Sequence, residues 1–126
     1  MDIKKLRAVI AQNIALDPND DFGMEKCWRE MTDLLSDDIE ATIQFFVNEC
    51  TDEEFYWLGS VFEDVVERTQ CRELIPVLRN RLATIREENY RQDKFTSSHM
   101  QKWVDYASYM QSIASDIEHA EAMLGD

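Results

Sequence analysis

Residues 51–70, TDEEFYWLGSVFEDVVERTQ, decide the fold class. Phe55, Leu58, Phe62, Val65, Val66 and Thr69 recur at spacings of three and four. On a helix that spacing gathers them on one buried face, whereas on a strand they would fall on both faces. Thr51-Asp52-Glu53-Glu54 ahead of them has the form of a capping box, a threonine oxygen for the exposed amides and a glutamate three residues on to bond back. The stretch therefore predicts a helix over about Asp52–Gln70.

The same period continues on both sides. Ile3, Leu6, Ile10 and Ile14 predict a helix over about Asp2–Leu16, and the turn formers of residues 17–23 end it. Cys27, Trp28, Met31, Leu34 and Leu35 mark a second helix over about Met24–Leu35. Ser36 and Asp37 can cap a third, along which Ile39, Ile43, Phe46, Val47 and Cys50 line up. Pro76 belongs in a first helical turn, where its missing N–H costs little, so a fifth helix starts near Arg72 or Glu73. Its stripe is Leu74, Ile75, Leu78, Leu82 and Ile85. Residues 89–96 are polar and irregular and are expected to form a mobile loop. Ser97 or Ser98 then opens a long last helix with Met100, Trp103, Ala107, Met110, Ala114, Ile117 and Leu124 in near-heptad order. No segment alternates as a strand does. The expectation is an all-α fold, one domain of about six helices, possible as stacked hairpins.

Charge is the second organising feature. Residues 17–67 carry 16 carboxylates against Lys26 and Arg29 alone, a charge of −14, while the remaining residues sum to +1 and the chain to −13. Such a field attracts cationic surfaces and repels acidic ones. It excludes direct binding to nucleic acid or an anionic membrane, since phosphate contacts need Lys and Arg. It also disfavours self-association through the acidic face, so the free chain is expected to be a monomer. No apolar run reaches the roughly 18 residues that span a bilayer. Cys27, Cys50 and Cys71 are odd in number and widely spaced, which fits reduced thiols in a cytoplasmic protein.

Opposite the apolar stripe of the fourth helix lie Glu53, Tyr56, Ser60, Glu63, Asp64 and Glu67, with Trp57 at the flank. An aromatic ringed by carboxylates can fill a pocket on a partner while the acids pair with its Lys and Arg, which is the anatomy of an interface hot spot. A solvated face with Tyr56 packed on a neighbouring helix explains the same spacing. Asp37, Asp38 and Glu40 would add electrostatic support. Arg68, Arg72, Arg79, Arg81 and Arg86 read as internal neutralisers of the acidic helices.

Signatures of catalysis are missing from the sequence. Asp17, Asn19 and Asp21 echo a calcium loop, but its glycine falls one place late and Trp28 stands where a bidentate Glu is needed. Asp37/Glu40 and Asp64/Glu67 are acid pairs of the sort that hold Mg²⁺ in all-α nucleotide hydrolases, although such pairs arise readily in so acidic a chain. His99 and His119 are isolated, and nucleophile, phosphate-loop and dinucleotide motifs are lacking. The expectation is no enzyme, no metal and no cofactor.

Glu54-Phe55-Tyr56-Trp57-Leu58, Val61-Phe62-Glu63-Asp64 and Glu67-Arg68-Thr69-Gln70, with Leu78-Arg79-Asn80-Arg81 after them, resemble small acidic immunity proteins of bacterial contact-dependent growth inhibition and related toxin systems. The resemblance covers mainly residues 53–81. It implies a cytoplasmic protein that binds the C-terminal domain of one cognate toxin, commonly a basic nuclease, and blocks its active site or substrate surface. Tyr56, Trp57, Glu53, Glu63, Asp64 and Glu67 would then be the contact core. Two other readings stand beside it: a nucleic-acid mimic that inhibits a DNA-binding protein, and a Mg²⁺-dependent nucleotide hydrolase built on Asp37, Glu40, Asp64 and Glu67.

Overall fold

The computed structural model describes residues 1–125, and among them every regular element is helical. Seven α-helices follow in order: α1 (Ile3–Ala15), α2 (Asp21–Asp37), α3 (Ile39–Asn48), α4 (Asp52–Thr69), α5 (Leu74–Ala83), α6 (Ser98–Trp103) and α7 (Tyr106–Glu121). The all-α expectation holds, with seven helices in place of six. None of the described helices is long and apolar enough to cross a membrane.

α4 is the hub. It packs most extensively on α7, then on α2 and α1. This is why Gly59 and Val61 are buried along with the expected Phe55, Leu58, Phe62, Val65 and Val66. The capping box forms as the sequence predicts: Glu54 N donates to Thr51 Oγ1 at 3.1 Å and Thr51 N to Glu54 Oε1 at 3.0 Å. Gln70 ends the helix in the left-handed region at φ 53°. Its side chain donates to Met123 O and accepts from Gly125 N, tying the end of α4 to the segment that follows α7.

The differences from the sequence reading are local. α2 starts earlier because Asp20, not a later residue, accepts the Gly23 amide at 2.8 Å. A Cβ on Gly23 would lie 2.6 Å from that carboxylate, so a side chain there would displace the cap. α3 is capped by Asp38, which accepts from Ala41 N, rather than by Ser36 or Asp37. Its core residues are Thr42, Phe45 and Phe46, while Val47 is 59% exposed. Phe45, Phe46, Phe55 and Phe62 form a buried aromatic cluster between α3 and α4, with Phe46 within 5.6–6.0 Å of the other three ring centroids.

The long last helix is broken. Val104 leaves helical geometry and Tyr90 Oη donates to its carbonyl at 2.7 Å, after which Asp105 caps α7 by accepting from Ser108 N. The break shifts the buried stripe of α7 to Tyr109, Ile113, Ile117 and Ala120. Of the expected heptad positions, Ala107 and Ala114 face out and Trp103 is 72% exposed. The segment that precedes α6 is packed on α7. It contains two short 3₁₀ turns, and Tyr90 and Phe95 pack against Tyr109.

Three of the arginines neutralise acids on other helices, as expected. Arg68 pairs with Asp33 at 2.6 Å, Arg79 with Glu121 at 2.7 Å and Arg81 with Asp52 at 2.8 Å. Arg81 also donates to Cys50 O and sits over the Phe55 ring. All three cysteines are free.

Candidate functional site

The acidic segment divides once its carboxylates are followed to their partners. Asp17 closes a turn by accepting from Asn19 N, Asp20 and Asp38 cap helices, and Glu54 serves the capping box and pairs with Arg7. Asp33 and Asp52 pair with arginines. Glu53 accepts from Thr96 N, Thr96 Oγ1 and Ser97 N at 2.9–3.0 Å, fastening the 89–96 loop to α4. The fold thus engages seven of the 16. The side chains of the other nine make no hydrogen bond or salt bridge among the described residues. They include Glu25 on α2, Asp37, Glu40 and, on α4, Glu63, Asp64 and Glu67.

Glu53 and Asp38 are therefore anchors of the fold, although the sequence reading placed them in the contact surface. Replacing Glu53 with alanine is expected to cost about 1 kcal/mol, the net worth of a partly exposed hydrogen-bonded carboxylate. It should also speed amide exchange at Thr96 and Ser97. Unchanged protection of those two amides would contradict the anchoring role.

Tyr56 is half-buried. Its ring stacks on Tyr109 of α7 with centroids 5.8 Å apart and planes 24° from parallel, and Trp57 meets it edge-on. Burial pushes the Tyr56 hydroxyl up from its ordinary pKa, and the nearby Asp116 carboxylate adds to this. Trp57 is also half-buried, in an edge-to-face arrangement with His99 and with an indole N–H that lacks a partner among the described residues. The two aromatics therefore belong largely to the α4–α7 seam and the start of α6. The aromatic that the acidic segment does expose is Phe22, 85% accessible at the start of α2 and preceded by Asp20 and Asp21. The sequence reading left it in a turn. The signal lay in a helix beginning at Asp21, which would have shown that Phe22 falls off the Cys27–Met31 core face.

Asp64 and Glu67 meet α2. With Arg68 they form one wall of a groove of about 360 Å³, whose other wall is Glu25, Trp28, Arg29 and Thr32. Trp28, expected in the core, is half-buried here and gives the groove an aromatic surface. Asp38 and Glu40 lie apart, lining a separate depression on α3 with Ile43 and Gln44. Asp37, Glu40, Asp64 and Glu67 do not converge, and among the described residues no three His, Cys, Asp or Glu side chains gather to hold a metal ion.

Comparison of the chain with protein-family models, with curated proteins and with solved structures returns no match.

Proposed function

We propose that this chain is an immunity-type inhibitor that neutralises a basic toxin domain, most simply a nuclease, by covering its cationic substrate surface with α2 and α4. The observation that carries the reading is the set of nine carboxylates that the fold leaves uncommitted, all within residues 17–67. Like charges held on one folded surface repel one another, and a cationic partner relieves that cost. A nuclease must display Lys and Arg to hold its phosphate backbone, so the surface such an inhibitor covers is the one the enzyme needs. Phe22 supplies an exposed aromatic of the kind hot spots favour, and Glu25, Glu63, Asp64 and Glu67 supply uncommitted charges on the same two helices.

The decisive experiment is to clone the C-terminal domain of the protein encoded by the reading frame immediately upstream and co-express it with this chain, scored by toxicity alone, survival together and co-purification. Survival without a stable complex would refute inhibition by direct binding. Within the complex, reversing Glu63 and Glu67 to lysine is expected to lower the association rate at least about tenfold at low salt, with the difference shrinking as salt is added. An association rate that ignores both changes would remove α4 from the interface.

A further inference from the structure

We infer that the α2–α4 groove is a socket for one arginine side chain of the basic partner, an assignment that rests on the reading of the chain as a binder of such a partner. Asp64 and Glu67 stand three residues apart on α4 and so project side by side over the groove. With Glu25 across from them they make three carboxylates without a salt bridge among the described residues, and Arg29, which also lines the groove, pairs with none of them. Arg68 is already held by Asp33. The groove is thus short of positive charge.

The base of the groove points to a ligand independently of that charge. Thr32 is 3% exposed and contributes to the lining, and its Oγ1, closed off from solvent, has no hydrogen-bond partner among the described residues. A buried hydroxyl without a partner is costly to keep, and an N–H that enters as the lining side chains part to uncover it would satisfy it. Trp28 completes the set with an aromatic face. A planar guanidinium matches all of these features at once: it stacks on an indole, forks onto carboxylates, and has N–H groups to spare for a hydroxyl. An ammonium group offers a point charge and no plane to stack.

The test uses the full chain and a blocked tripeptide, acetyl-Gly-Arg-Gly-amide, with its citrulline analogue as an uncharged isostere. The readout is the NMR shift of the Thr32 methyl and the Trp28 indole N–H. The arginine peptide is expected to shift both saturably and to bind roughly tenfold tighter than the citrulline peptide. Asp64→Asn with Glu67→Gln should weaken it roughly tenfold, and Thr32→Val about threefold, each in protein whose circular dichroism and melting temperature show it folded. Equal binding of the citrulline peptide, or shifts scattered over the acidic helices and indifferent to these variants, would overturn the socket. The same Asp64→Asn/Glu67→Gln protein assayed against the toxin domain separates the two readings. If the peptide fills the groove but no toxin is neutralised, the functional reading falls and the socket stands. If neutralisation is unimpaired and the peptide leaves Thr32 and Trp28 unmoved, the socket falls and the functional reading stands.

Discussion

Phe46→Ala is expected to remove about 4 kcal/mol of stability, a large part of the 5–15 kcal/mol that a domain of this size has in total. Phe46 is 1% exposed and stands edge-on to Phe45, Phe55 and Phe62, so truncation opens a cavity bounded by rings from both α3 and α4. Aromatic rings do not collapse into such a void as flexible side chains do, and the lost edge-to-face contacts add to the lost burial. Urea denaturation should show a lower midpoint at unchanged slope, because the surface exposed on unfolding is almost the same. The neighbouring Val47→Ala is the control. Val47 points outwards, and its truncation should shift stability by no more than about 0.5 kcal/mol. Similar losses at the two positions would mean that α3 does not present Phe46 to the core.

That pair also shows what in this fold was legible from sequence. The period of three and four located α4 and its box to within a residue, since propensity, capping and apolar spacing all agree there. It also placed Phe46 inside. It put Val47 inside as well, and passed over Phe45, because the two flank Phe46 at about 100° on either side and a stripe read through Ile39, Ile43 and Phe46 can be widened towards either one; the packing of α3 on α5 and α2 decides which is covered. The last helix failed for a tertiary reason. Nothing local in residues 98–124 forces a break, and the Val104 carbonyl is drawn out of the helix by Tyr90 Oη, a residue 14 positions away. The candidate site was legible in its charge but not in its division of labour. Sequence cannot tell the Glu53 that fastens a loop from the Glu63 that faces solvent, because the difference is made by Thr96 and Ser97 arriving from elsewhere in the chain. The α2–α4 groove was half visible, as Asp64 and Glu67. Its other wall required knowing that Trp28 faces the outer edge of the helix contact.

Gly59 of α4 lies against the Asp116 side chain of α7, and Gly59→Leu is expected to destabilise the protein by about 3 kcal/mol. A Cβ at this position would clash with Asp116 Oδ2 and lie 3.2 Å from its Cγ, so the obstacle is the carboxylate end of Asp116. The carboxyl pays for that seat. Burial pushes the pKa of Asp116 up, Glu63 pushes it further, and His119 opposes them. A group whose folded pKa is raised adds stability below its unfolded pKa, near pH 4, and that contribution is lost as the pH rises through the folded value. At neutral pH Asp116 is therefore a burden on the fold. Asp116→Asn keeps the shape and removes the charge, so the variant should match the wild type in acid and become the more stable of the two as pH rises. The alanine series isolates the steric part. Gly59→Ala should destabilise the wild type, because displacing the half-buried Asp116 outweighs a gain in helix propensity of about 1 kcal/mol. In an Asp116→Ala background the nearest remaining atom of residue 116 is its Cβ, at 3.6 Å, an ordinary contact. There Gly59→Ala should change sign and stabilise. Equal effects of Gly59→Ala in the two backgrounds would show that α4 and α7 are held apart by something other than Asp116.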